Sequence, residues 1–503
     1  MANKGMMSLA KDTVIYGLSS IVGRFINWCL VPLHMYIFTD PAEYGKVSFI
    51  YGFTALFMVL LTYGMETGFF RFMNKKDEDP DVVYSTSLMS LGITSLLFVL
   101  LSFTFIDNIA AWLDNYAHHD HILMMVVVVA FDAFLCIPYA YLRHMKRPVR
   151  FMTIRMTFIL LQVLLNVFFL LACPWIHNNY PELISWFYNP DYGIGYIFLA
   201  NLIGVLCIFF MFIPQYKAIK LKFDPKVLKK ILRYSFPLLI LGVAGVINQA
   251  VAQLTYPYLF DDGDVAYSQL GIYSACIKIS VVIAMFTQAF RYAYEPFVFS
   301  RNKESGDKKP YADAMKYFVI FGLALFLFVV YYVELLNYIE RFQNYLVGLN
   351  ILPIAMAGEI FFGIYFNLSI WYKVTDKTKY GATFSILGCI ITVGINIVFV
   401  PMYGYIASAW ATFFCNLIIM IISYIYGQKH YPIKYDIKTI LFYFGITFVL
   451  FAAGTFVEIE NMAVRLIYRT GLLSIFVFII IKRDLPLSEI PYINRFIKKQ
   501  QIK

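Results

Sequence analysis

The sequence predicts an all-α integral membrane protein of about fourteen transmembrane helices, built as two six-helix lobes in pseudo-twofold arrangement plus two C-terminal helices. Three observations predict it. Of 503 residues, 60% are apolar and 14% charged, where soluble domains carry roughly 25% charge. Apolar runs of about 20 residues recur from end to end, each long enough to cross a hydrocarbon core about 30 Å thick. The basic residues gather in alternate turns between those runs.

The runs fall near 13–37, 45–70, 82–105, 121–142, 151–173, 193–213, 231–258, 268–292, 312–336, 348–372, 381–402, 404–427, 437–458 and 462–481. The first has no small-residue cleavage site behind a short apolar core, so it is expected to stay as a helix. One alternating set of turns holds Lys75, Lys76, Arg143, Lys146, Arg147 and Arg150, then Lys217 to Lys230, Arg301 to Lys309, Lys373, Lys377, Lys379, Lys429 and Lys434. The other set contributes only Lys46, Arg341 and Arg465. Positive charge marks cytoplasmic turns, so both termini are expected in the cytoplasm. This also accounts for the net charge of +10 without a nucleic-acid partner, because no single face collects it.

Two turns carry more. The outer turn 174–192 holds Trp175, Tyr180, Trp186, Phe187 and Tyr188, read as an interfacial aromatic belt ahead of a sugar platform. In the inner turn 222–232, Asp224 is placed to cap a helix with Pro225 at its first position, and Val227, Leu228, Ile231 and Leu232 share one face. That pattern predicts an interfacial helix on the membrane surface.

A repeat is legible. The first two spans run from Tyr16 through Asp40, Tyr44 and Gly45 to Gly68, Phe69, Phe70 and Arg71; the seventh and eighth run from Tyr234 through Asp264, Leu270, Gly271, Ile272 and Tyr273 to Phe290 and Arg291. Both copies start on the same side, which implies an axis along the membrane normal. The expected organisation is an N-lobe at 1–221, a C-lobe at 222–430 preceded by the interfacial helix, and 431–503 as helices thirteen and fourteen with a tail.

Function is sought among polar groups at membrane depth, since a charge there costs at least about 2.5 kcal/mol unless it faces protein or water. Ser20, Arg24, Asn27 and His34 share one face of the first helix, Arg24 close to midplane, and Pro32 is expected to bend that helix. Arg155, Gln162 and Asn166 form a stripe on the fifth helix, Asn248, Gln249 and Gln253 on the seventh, and Ser274 and Lys278 lie one turn apart on the eighth. The acidic counterparts are Glu66, Asp132 and Glu359. For Arg155, Asp132 and Glu66, buried pairs that fix helix register are the plainer reading. For Arg24 and Lys278, a midplane cation on a polar face suits an anionic group.

Enzyme motifs are missing: no HExxH, no P-loop and no Gly-x-Ser-x-Gly. Seven single cysteines suggest neither a disulfide framework nor a metal site. His118, His119 and His121 with Asp114 and Asp120 read as a solvated loop. No cofactor and no metal is expected.

The segment Lys11-Asp12-Thr13, Tyr16, Arg24, Pro32, Asp40-Pro41, Glu43-Tyr44-Gly45, Gly64-Met65-Glu66-Thr67-Gly68 and Arg71 resembles the polysaccharide transporters of the multidrug/oligosaccharidyl-lipid/polysaccharide exporter superfamily, which include Wzx-type O-antigen flippases. The resemblance implies a flippase that moves an undecaprenyl-pyrophosphate-linked oligosaccharide from the inner to the outer leaflet of a bacterial inner membrane by alternating access. It implies lipid-linked oligosaccharide and membrane lipids as partners, glycan polymerase or chain-length proteins as neighbours, no nucleic acid, and a monomer. In related flippases a first-helix Arg and basic residues of the eighth helix face a central cavity and meet the pyrophosphate. Arg24 matches the first and Lys278 is taken for the second, with Arg291 the weaker choice near the cytoplasmic end. Around them Asn27, Asn248, Gln249, Gln253 and Arg155 are expected to line the cavity, and Glu66, Asp132 and Glu359 are the coupling-ion candidates.

Three rivals remain. A cation-coupled drug exporter of the same superfamily would rely on the carboxylates, and a lipid II flippase of the same fold would share the pyrophosphate site. A membrane-bound glycan polymerase or ligase would want a larger outer loop than any here.

Overall fold

The computed structural model describes residues 22–113, 118–217, 222–301, 308–375, 377 and 379–484. Asp12, Tyr16, Ser20 and the tail beyond Asp484 lie outside the described residues. Every regular element among those described is helical. Among the described residues twelve helices are long and apolar enough to cross a membrane, and a shorter apolar helix spans Gly195–Met211. The first expected span is described only from residue 22, as helical residues 22–28 and the helix that follows.

In chain order the principal helices are α1 (Leu30–Ile37), α2 (Pro41–Thr62), α3 (Met65–Met73), α4 (Pro80–Thr104), α5 (His119–His144), α6 (Pro148–Val167) and α7 (Gly195–Met211), then α8 (Pro225–Thr255) and α9 (Gly263–Arg301). After these come α10 (Lys309–Tyr332), α11 (Leu352–Leu368), α12 (Lys379–Tyr403), α13 (Tyr405–His430), α14 (Ile437–Phe456) and α15 (Met462–Arg483).

Three helices start on the same dipeptide. Asp40 caps α2 by accepting from the Ala42 amide at 2.9 Å, Asp79 caps α4 through Asp81 at 3.0 Å, and Asp224 caps α8 through Lys226 at 2.7 Å. In each case proline follows at the first helical position, where its missing N–H leaves no bond unmade. Breaks have local causes too. The first helix is interrupted at Cys29, next to Trp28, whose carbonyl gets no N–H from Pro32. Between α2 and α3, Tyr63 and Gly64 both take positive φ, so the chain stops and restarts within one span.

Two boundaries differ from the sequence reading. The stretch 222–232 is no separate surface helix, because α8 runs from Pro225 straight into the seventh span. Part of its apolar face is covered by protein: Val227 and Ile231 are buried in a cluster with Met65, Phe69 and Phe72 of α3, while Leu232 stays exposed. The fifth span likewise continues past 173, through a π-helical turn at Phe168–Ala172 and a helix Cys173–Asn179. In the aromatic turn Trp186 is 82% exposed, whereas Tyr188 is buried with its ring 5.1 Å from that of Tyr196.

Contacts divide the chain into two compact units. The first comprises 1–278, 341–349 and 379–415; the second comprises 279–340, 350–378 and 416–503. In the first, α5 packs on α2, α4 and α7, and α8 packs on α2 and α12. The two stretches read from sequence as repeat copies approach one another here. A Cβ at Gly45 of α2 would stand 1.9 Å from the Tyr267 carbonyl oxygen, and α9 passes α2 just as closely at Gly271. In the second unit α10 packs on α11, α14 and α15.

Candidate functional site

The charged stripes predicted from sequence converge inside the first unit. Helical residues 22–28 place Arg24 and Asn27 one turn apart, α3 brings Glu66, α5 brings Asp132 and Arg143, and α6 brings Arg155. Together they line a compartment of about 450 Å³. A second compartment, of about 530 Å³, is lined by His34, Tyr51, Asn201, Gln249, Gln253 and Lys278 among others. Asn27, Asp132, Phe158 and Gln162 belong to the walls of both, so the two compartments adjoin.

The first compartment holds three guanidiniums and two carboxylates. One pair is closed: Arg143 Nη2 donates to Glu66 Oε1, and the Arg143 guanidinium also sits 4.9 Å from the centre of the Phe70 ring. Arg24 makes no hydrogen bond or close ion pair with any other described residue, whereas Arg155 and Asp132 attract one another across the compartment without a hydrogen bond. A guanidinium held as Arg24 is, in a cavity wide enough for water, can meet a ligand. The balance of the walls favours an anion.

The second compartment is built of amides and hydroxyls. On one side they are tied together: His34 Nε2 bonds Asn166 Oδ1 at 3.0 Å, Gln162 Nε2 donates to Asn201 Oδ1, and Asn201 Nδ2 donates to the Tyr51 hydroxyl at 2.7 Å. On the other side, α8 and α9 present Gln249, Gln253, Ser274 and Lys278. The Trp28 indole donates to the Lys278 carbonyl at 2.6 Å, which holds the Arg24 segment beside α9.

The remaining predicted residues lie elsewhere. Asn248, although next to Gln249, points to α12, where it accepts from Thr392 Oγ1 at 2.5 Å. Arg291 and Glu359 belong to the second unit; Arg291 stacks 4.7 Å over the Phe366 ring, and Glu359 is half-buried on α11. Sequence reasoning missed Tyr51 and Asn201. The signal for Asn201 was present, a lone amide in the middle of an otherwise apolar run, whereas Tyr51 is one aromatic among many. Away from the cavity, His118, Asp120 and His121 bring donor atoms within 4.8 Å of one another, a spacing able to hold a divalent metal.

Comparison with known proteins gives two findings. Residues 9–301 match the family described as polysaccharide biosynthesis protein. A structure of the lipid II flippase MurJ in an inward closed conformation superposes with a TM-score of 0.69 at 18% identity, covering 92% of this chain and 99% of that one. An inward-facing multidrug resistance MATE transporter of the MOP superfamily gives 0.59 at 15% identity over 80% and 94%, and a MATE in complex with MaD3S gives 0.56 at 14% over 84% and 95%. No curated protein sequence matches. These likenesses establish a shared fold.

Proposed function

The chain belongs to the polysaccharide biosynthesis protein family, and from that premise we propose that it is a flippase for an undecaprenyl-pyrophosphate-linked oligosaccharide. A pyrophosphate–sugar headgroup cannot cross hydrocarbon unaided; it needs a wet, basic chamber inside the bundle while its lipid tail stays outside. The observation that carries this reading is the pair of adjoining compartments whose cations Arg24 and Lys278 have, among the described residues, no carboxylate closed on them. The pyrophosphate sits where the compartments adjoin, near Asn27, between Arg24 on one side and Lys278 on the other. Alternating access of that site to the two leaflets completes the cycle. The protein works as a monomer in a bacterial inner membrane with both termini cytoplasmic, carries out no covalent chemistry, and couples to an ion through Asp132 or Glu359. Glu66 is the weaker coupling choice because Arg143 already holds it.

The test is transport of the lipid-linked unit by Arg24→Ala in a strain lacking the native protein, at matched expression. A fall of at least about tenfold is expected; wild-type transport would remove Arg24 from the pyrophosphate site. A second reading, transport of lipid II, is favoured by the 92% coverage of this chain by the MurJ structure. Supplying lipid II and a longer lipid-linked oligosaccharide side by side separates the two.

A further inference from the structure

The two compartments differ in chemistry, and the difference has a use. The compartment around Arg24 holds most of the full charges, whereas its neighbour offers mainly primary amides, hydroxyls and tyrosines, with Lys278 and the shared Asp132 as its charges. We propose that the amide-lined compartment is a separate glycan subsite, which recognises the hydroxyls of the sugars while the pyrophosphate stays with the cations. The inference rests on the flippase reading given above and adds to it the residues that read the sugar.

Three observations carry it. Neighbouring hydroxyls of a pyranose each donate and accept, and a primary amide presents one acceptor and a pair of donors at matching separation, so amides pair with diols without changing charge. The compartment is rich in that group: Asn166, Gln162 and Asn201 stand on one wall, and Gln249 and Gln253 on the other.

The walls are also unequally satisfied. On the α6 and α7 side, Asn166 Nδ2 is anchored on the Gln162 carbonyl at 2.8 Å and Asn201 Nδ2 on the Ile197 carbonyl at 2.8 Å, so these amides are fixed before any ligand arrives. Opposite them, the Gln253 Oε1 and Ser274 Oγ atoms are buried and have no hydrogen-bond partner among the described residues, and the exposed Gln249 side chain lines the same space. Buried polar atoms are rarely left so, because losing water without a replacement bond is costly. Here the orphaned atoms line a space of about 530 Å³, room for about eighteen waters at roughly 30 Å³ each, which a sugar headgroup would displace.

Backbone contacts hold the unsatisfied wall in place. Gly52 of α2 lets the Gln253 side chain lie directly against its backbone, since a Cβ there would come within 2.5 Å of Gln253 Cβ. Tyr44 and Tyr51 stand seven residues apart on α2, two helical turns along one face, and give the compartment flat apolar surface for the C–H face of a sugar.

The experiment uses the full-length protein in lipid nanodiscs and two probes: undecaprenyl pyrophosphate without sugar, and the same lipid carrying a trisaccharide. The variants are Gln249→Ala, Ser274→Ala and, for contrast, Arg24→Ala. Gln249→Ala and Ser274→Ala are expected to weaken the sugar-bearing lipid by about tenfold when combined and the bare pyrophosphate by less than about twofold. Equal weakening of both probes, or of neither, overturns the glycan subsite. Arg24→Ala is expected to weaken both probes alike; if it weakens neither while the amide variants still discriminate, the pyrophosphate assignment falls and the glycan subsite stands. Wild-type affinity that is the same for the two probes likewise overturns the subsite.

Discussion

A Cβ on Gly271 would stand 1.8 Å from the carbonyl oxygen of Pro41, so α9 crosses the start of α2 backbone against backbone. The reciprocal contact of Gly45 with Tyr267 makes the crossing two-sided. A methyl group there cannot be absorbed by a flexible side chain, because what it meets is main chain. Gly271→Ala is therefore expected to destabilise by about 1–3 kcal/mol or more. Gly394→Ala, where nothing lies within 4 Å, should be neutral or slightly stabilising. Thermal unfolding in detergent checks both, and equal shifts for the two variants would contradict the crossing.

The same end of the first unit carries a strap. Arg341 Nη1 donates to the Tyr36 carbonyl at 3.2 Å, Asn344 Nδ2 to Thr39 at 2.9 Å, and the hydroxyl of the buried Tyr345 to Phe38 at 2.6 Å. Tyr345→Phe keeps the ring and leaves the Phe38 carbonyl short of a partner, at a cost of about 1 kcal/mol. Faster amide exchange across residues 36–40 is the expected consequence, with exchange in α14 unchanged. No difference at 36–40 would show that the strap contributes nothing.

Much of this architecture was legible in the sequence because lipid imposes one rule, that backbone polar groups be satisfied within helices, and apolar runs report it directly. The Asp-Pro start at 224 was legible as a cap because the signal is local, and the structure has the same cap at 40 and 79. The midplane charges were legible as a set, and the compartment around Arg24 gathers most of them. Their pairing was not. Nothing in sequence spacing says that Glu66 meets Arg143 rather than Arg24, or that Asn248 turns to Thr392 while Gln249 faces the cavity, since those choices depend on helix rotation set by tertiary packing. The amphipathic stretch at 227–232 misled for a related reason: an apolar stripe reads the same whether lipid headgroups or α3 cover it.

Asp436 supplies a pH-dependent test outside the membrane. Its carboxylate caps α14, accepting from the Thr439 amide at 3.1 Å, and the hydrogen bonds from Thr439 hold its pKa below the ordinary carboxylate value. A group whose pKa falls on folding contributes stability above its unfolded pKa of about 3.9 and loses it as pH drops through the lower folded value. Asp436→Ala should therefore cost about 1 kcal/mol at pH 7. That cost should shrink below about pH 4. Unfolding temperatures of the two proteins from pH 7 to pH 3 give the comparison, and a cost independent of pH would exclude the ionised cap.

Arg469 shows how a membrane-embedded cation looks when its role is structural. It is 5% exposed on α15, and its guanidinium is fully engaged: Nε donates to the Gly454 carbonyl at 2.9 Å, Nη1 to the Tyr331 carbonyl at 3.2 Å, and Nη2 to Glu334 Oε1 at 2.9 Å. Glu334 takes a second cation, with Arg465 Nε 3.1 Å from its Oε2. The planar fork ties α15 to α14 and to the end of α10, which a lysine cannot do with one point charge. Arg24, by contrast, faces an open compartment and bonds to no described residue. The two arginines should therefore fail in opposite ways. Arg469→Ala leaves Glu334 short of its buried partner and two carbonyls unpaired, a loss of about 3–5 kcal/mol. Arg469→Lys should recover little of it. Neither is expected to change affinity for a pyrophosphate lipid in the fraction that stays folded. Arg24→Ala should do the reverse, weakening that affinity with little change in unfolding temperature, because no bond to a described residue is lost. Measuring unfolding temperature and pyrophosphate-lipid affinity on the same preparations decides the matter, and a drop in stability for Arg24→Ala as large as that for Arg469→Ala would mean that Arg24, too, serves the fold.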